Sequence, residues 1–283
     1  MNEQKIKRFM ERLQIESTYK KYLKDDIINQ MINIFSHNCT TIKKQNYPSR
    51  IENPLELALK YYKEYNLEYY NTIIKNIENG RISIKTSSGK SYTDTQNNTT
   101  NIRLCGNDSD LFNIVHELAH FIDRNSIPPI VPNEYYFLSE TFAFYIEQEL
   151  ESWLGEEYKK LIAIRRNNRI YFESKMLIAI ENELYYENLY RQKGTIETSD
   201  IDTERIKSIV HYDIPTNIIN CLLQYPLANI LSNYLINNHL LQSDNELVAK
   251  CFSIDLYKAI VELFNKIPRS KINVLKKPAI SRP

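Results

Sequence analysis

The amino-acid sequence predicts a mainly α fold of the α+β class, with a small β-sheet beside a helix that carries two histidines. Three observations lead to it. Apolar residues recur at helical spacing through most of the chain, beginning with Ile6, Phe9, Met10 and Leu13. A single stretch, "GRISIKTSSGKSYTDTQNNTTNIRLCGND", replaces that period with alternation in "RISIK", passes turn residues and closes on the strand-like "TNIRLCG". Directly after it, "LFNIVHELAHFID" sets His116 and His120 four positions apart, slightly more than one helical turn, so that both project from one face.

From Asn2 to about Phe35 the apolar pattern, continued by Ile27, Ile28, Met31 and Ile32, predicts helix interrupted by a polar turn. Residues 53–78 extend it as further helix, with Pro54 at a first helical position where its missing N–H costs nothing. The alternating stretch then forms a hairpin or small sheet. Asp108 or Ser109 can cap the histidine-bearing helix, which must end in "SIPPIVPN" because prolines cannot continue it. Asn133 is a reasonable cap for the next helix, which runs to about Gly155. Helices follow at roughly 157–192, 199–209, 214–240 and 244–266. The expected organisation is a helical N-terminal region (1–80), a catalytic core (81–155), a helical C-terminal region (156–266) and a loose tail (267–283).

Composition narrows the partners. A chain of 283 residues, 42% hydrophobic and 25% charged with a formal charge of +1, reads as an ordinary globular protein with no polybasic face, so neither nucleic acid nor membrane is expected as a partner. Nothing in it sets the oligomeric state. The start, "MNEQKIKRFMERLQIESTYKK", has no apolar core of the kind a secretory signal needs. Cys39, Cys105, Cys221 and Cys251 are far apart and form no CxxC pair, which favours reduced thiols and a cytoplasmic location.

His116, Glu117 and His120 spell HExxH in a sequence with five histidines and 35 acidic residues. Composition predicts roughly 0.01 such windows by chance, so chance is a poor account. Two histidines one turn apart can ligate one metal ion, and Glu117, about 100° round the axis, can reach a water at that ion without binding the metal. Catalytic zinc takes three protein ligands, so a third is needed. Glu140, in "LSETFAF" on the following helix, is the candidate, with Glu134, Glu147 and Glu149 close by.

The twenty-residue separation of His120 and Glu140 resembles that of the Glu-zincins, the thermolysin-like two-His-one-Glu peptidases. More narrowly, "DLFNIVHELAHFID" followed by "LSETFAFYIEQEL" is similar to the oligoendopeptidase F and thimet oligopeptidase family. The resemblance implies a zincin-like metalloprotease fold and a zinc ion held by His116, His120 and Glu140. It further implies that zinc polarises the scissile carbonyl and brings its water to a pKa of about 7. Glu117 then serves as general base and passes the proton to the leaving amine. Glu147, seven positions after Glu140, matches an acidic position of the family and can orient a histidine ligand; otherwise it is a surface carboxylate. Asp123, seven positions after His116, invites the same choice and reads first as a helix-end ion pair with Arg124 or a lysine.

The family also places histidine and tyrosine oxyanion donors on C-terminal helices. Here "IVHYDIPTNIINCLLQYPLANILSNYL" offers His211, Tyr212, Tyr225 and Tyr234, of which His211 and Tyr225 are preferred. The implied activity is hydrolysis of peptides or unfolded protein segments, which can pair with the strand near "NIRLCG". This chain is shorter than full family members, which implies a more open cleft. Two alternatives remain: a regulator-cleaving HExxH protease, echoed by "ETFAFY", and a non-catalytic helical module that keeps zinc for stability.

Overall fold

The computed structural model describes residues 3–13, 42–87, 89–94, 97–125, 136–212, 214 and 217–237. The expected helices at 27–35 and 244–266, the proline-rich turn with Asn133 and Glu134, the tail, Cys39, Cys251 and the Tyr234 side chain lie outside them. Mainly helical structure with one three-stranded sheet bears out the α+β expectation. The described residues form two compact units. One contains Lys43 to Arg169 and the residues from Leu227; the other contains the N-terminal helix and Ile170 to Pro226.

The unit around the histidines begins with α2 (Pro54–Tyr65) and α3 (Leu67–Glu78); α1 (Glu3–Arg12) belongs to the other unit. Pro54 opens α2 behind the cap Asn53, whose side chain accepts from Glu56 N at 3.1 Å. The single helix expected over 53–78 is broken at Asn66. Its backbone is extended (φ −154°, ψ 108°), and its side chain accepts from both Glu68 N and Tyr69 N, so a strong N-cap restarts the helix there.

Strands β1 (Ile82–Thr86), β2 (Tyr92–Asp94) and β3 (Thr99–Leu104) follow. The sheet order is β1-β3-β2, with β1 parallel to β3 (Ile82 opposite Thr100) and β2 antiparallel to it (Tyr92 opposite Asn101). The strand near "NIRLCG" is therefore the central one. β1 runs beside Thr100–Leu104 of it, while β2 covers only Thr99–Asn101.

Helix α4 (Ser109–Asn125) carries HELAH and packs against α5 (Tyr136–Leu154). Neither expected residue caps α4 through its side chain. Asn107 Oδ1 meets Ser109 N at 3.0 Å, while Asp108 Oδ1 is taken by Arg50 N and Ile51 N. The core of this unit fills the gap between α4 and α5 with Leu111, Val115, Leu118, Ala119, Phe142, Ala143 and Ile146, all fully buried. Two adjacent tyrosines of α2 tie into both helices: Tyr62 donates to the Val115 carbonyl (2.9 Å) and Tyr61 to the Ile146 carbonyl (3.2 Å). A 3₁₀ turn (Gly155–Tyr158) leads into the long α6 (Lys159–Lys193).

In the other unit, α1 sets Phe9 edge-on against Tyr186 of α6, ring centroids 5.2 Å apart. Asp202 caps α7 (Thr203–Val210) by accepting from Glu204 N and Arg205 N. The helix expected over 214–240 is divided into α8 (Ile218–Leu222) and α9 (Gln224–Asn237). Pro226 has no N–H to bond the Leu222 carbonyl, so α8 stops there. Among the described residues no helix is long and apolar enough to cross a membrane.

Candidate metal centre

Four residues of α4 at helical spacing break its apolar pattern: His116, Glu117, His120 and Asp123. In a buried helix each such group needs a partner. On α5 the partners are Ser139, Glu140 and Glu147. Glu140 and Glu147 are seven positions apart, nearly two turns, and so share the face turned to α4.

His116, His120 and Glu140 bring one ligand atom each within 4.8 Å of one another. The two Nε2 atoms are 3.1 Å apart. Glu140 Oε2 stands 3.3 Å from His116 Nε2, and Oε1 stands 3.5 Å from His120 Nε2. Donors bound tetrahedrally to zinc at about 2.0–2.1 Å lie about 3.3–3.4 Å from each other, a range close to the separation of the two Nε2 atoms and to the distance of each from its own oxygen of Glu140. Glu140 Oε2 is buried and meets no hydrogen bond of good geometry, its ion-pair contact being His116 Nε2 at 3.3 Å. The side chains of His116, His120 and Glu140 keep 15%, 10% and 13% of their exposure, so the cluster is reachable from solvent, as a catalytic site must be.

The electrostatics agree with the geometry. Burial acts to lower the His116 pKa, but the adjacent Glu140 and Glu147 carboxylates outweigh it and push the imidazole up to about 10. Burial acts to raise Glu140, yet His120 and His116 bring it down to about 2. A positive charge is favoured where the three donor atoms meet.

Both histidines are held from behind. His116 Nδ1 lies 2.8 Å from Glu147 Oε1. Glu147 is fully buried and, against the penalty of burial, is kept well below the usual carboxylate range by Arg165, Arg169 and His116. Its Oε2 accepts from Arg165 Nε (3.0 Å) and Nη2 (2.6 Å) and from Arg169 Nη2 (2.5 Å). An ionised carboxylate can only accept, so His116 carries its proton on Nδ1 toward Glu147 and turns Nε2 to the triangle. His120 Nδ1 lies 2.9 Å from Ser139 Oγ, which donates to Asp123 Oδ2 at 2.6 Å. Asp123 is wholly buried behind the site. It stands in the last turn of α4, with Oδ2 on Ser139.

Glu117 points away from the triangle toward the sheet, where Thr93 Oγ1 of β2 donates to its Oε2 at 3.5 Å. This leaves it beside the cluster and outside it. His211 is exposed at the end of α7 with its ring edge-on to Tyr212, and Tyr225 is half-buried in the first turn of α9; both belong to the other unit. Sequence reasoning missed Ser139, Arg165 and Arg169. The two arginines had a signal, being four positions apart on one face of α6.

Comparison of the chain with protein-family profiles, with curated proteins and with solved structures finds no match in any of the three.

Proposed function

We propose that this chain is a zinc-dependent peptidase, with His116, His120 and Glu140 as metal ligands and Glu117 as general base. One observation carries the reading: His116, His120 and Glu140 each bring a ligand atom within 4.8 Å of the others, while Glu117, next to His116 in the chain, contributes none of them. A site built only to stabilise the fold would be closed by a fourth ligand and needs no such neighbour. When bound, zinc supplies Lewis acidity to a carbonyl and acidifies water. Glu117 accepts the proton of the attacking water and hands it to the leaving amine. Thr93 steadies the carboxylate through its hydroxyl.

Extended peptides or unfolded protein segments suit a shallow site beside a sheet edge. Of the two edge strands, β1 and β2, the one beside Glu117 is β2, through Thr93. His211 and Tyr225 enter the proposal as oxyanion donors on the family resemblance alone, and cytoplasmic action on the cysteine usage. Glu117→Gln separates a peptidase from a zinc-keeping module. The amide preserves shape but cannot accept a proton, so one zinc per chain should remain while peptide hydrolysis falls by about 10²–10⁴-fold. Unchanged hydrolysis would remove Glu117 from the mechanism.

A further inference from the structure

We propose that Ser139 and Asp123 are positioning residues that set the tautomer and reach of His120, and with it the zinc affinity of the site. The inference rests on the zinc reading above. Its geometry is a three-member relay: Asp123 Oδ2 accepts from Ser139 Oγ at 2.6 Å, and Ser139 Oγ lies 2.9 Å from His120 Nδ1. A serine hydroxyl owns one proton, and here it is committed to Asp123. The oxygen then faces His120 Nδ1 with a lone pair and can only accept. His120 is thereby held with its proton on Nδ1, and Nε2 is left bare toward His116 and Glu140.

The surroundings give the relay its effect. Ser139, Asp123 and His120 are all buried, so water cannot replace a lost member. Asp123 and His120 sit on α4 and Ser139 on α5, so the two bonds tie the helices together at the metal. Ser139 also precedes Glu140 directly, and the bond that orients His120 fixes the backbone from which the third ligand projects. The two imidazoles are thus held differently. His116 leans on a carboxylate directly, and His120 reaches one through a neutral hydroxyl that a single-atom deletion removes.

The test uses the full chain, stripped of metal, with zinc affinity measured by competition against a chromophoric chelator and imidazole tautomers read from ¹⁵N NMR before and after zinc addition. Ser139→Ala should weaken zinc binding about 10–100-fold, the range for loss of an outer hydrogen-bond partner. The His120 signals should then leave the Nδ1–H pattern, while in the zinc-loaded chain His116 keeps it. Ser139→Thr, which retains the hydroxyl, should restore both within a few-fold. Asp123→Asn covers the case in which Ser139→Ala fails to fold. Its amide can donate to Ser139 and free the hydroxyl proton for His120 Nδ1, which reverses the tautomer and lowers the affinity. Wild-type affinity and an unchanged His120 tautomer in Ser139→Ala would overturn the relay. A wild-type chain that takes up no zinc would overturn the metal reading itself, and this inference with it; the two failures are told apart by the wild-type titration.

Discussion

Of the buried carboxylates that meet arginine among the described residues, Glu147 and Glu183, one in each unit, behave in opposite ways. Glu147 is held by Arg165 and Arg169 together with the His116 imidazole, and stays ionised despite complete burial. Glu183 has one guanidinium, Arg12, at 2.9 Å and a long contact from Ile218 N at 3.4 Å. Burial pushes its carboxyl up to about 7, and Arg12 only partly offsets that, with Glu187 nearby adding to the rise. Desolvation is similar in the two places; the number of cations is not. Where compensation is ample, a carboxylate survives as an anion able to hold an imidazole N–H and align a ligand. Where it is scant, the carboxyl joins α1 to α6 as a packing device whose charge follows the pH.

If that contrast is right, substitutions around Glu147 should register in zinc and those around Glu183 in stability alone. The largest effect belongs to Glu140→Ala, which removes a ligand outright. Metal analysis should find most of the zinc gone and hydrolysis at background, a loss beyond the roughly 10–100-fold of an outer partner. Retention of zinc there would move the third ligand elsewhere.

Glu147→Ala should come next, with zinc affinity lower by about 10–100-fold. It also leaves Arg165 and Arg169 without their buried counter-charge, so thermal unfolding should shift down in the same variant. A Glu147→Ala chain with native zinc affinity would reduce the network to a structural one and erase the contrast.

Glu183→Gln should leave zinc affinity and hydrolysis unchanged and alter only the pH profile of stability. Its folded-state value of about 7 lies above the ordinary 4.5, so over that interval the folded chain binds more protons than the unfolded one. The contribution of this group is fully present below 4.5 and is lost as the pH rises through about 7. The loss amounts to about 3 kcal/mol, from about 1.4 kcal/mol per unit. Glutamine cannot ionise, so chemical denaturation at about pH 5 and about pH 8 should show the variant gaining on wild type at the higher pH. A constant difference would mean that Glu183 is ionised throughout.

Much of this was legible before the fold was known, wherever one local rule acted alone. Helical periodicity marks α4 and α5, and "RISIK" and "TNIRL" mark the edge strand β1 and the central strand β3. That His116 and His120 share a face follows from their i,i+4 spacing, and that Glu140 and Glu147 share one from i,i+7. Reading failed where two signals competed or where partners came from distant sequence. Asn66 outweighed a continuous apolar pattern by capping a new helix. β2 lay hidden among turn residues, and its pairing beside β3 depends on a parallel β1 partner that no local pattern reveals. The bond from Ser139 to Asp123 joins residues sixteen apart on two helices, which no local pattern shows.

The central claim, that His116, His120 and Glu140 form a catalytic zinc site, is tested most directly by one titration on the wild-type chain. After metal is stripped with a chelator, zinc is added stepwise while bound metal and cleavage of an unstructured peptide are followed together. Hydrolysis should be absent from the stripped chain and rise with bound zinc to a plateau at one ion per chain. Cleavage that persists without metal, or tight uptake of one zinc with no cleavage of any unfolded substrate, would contradict it.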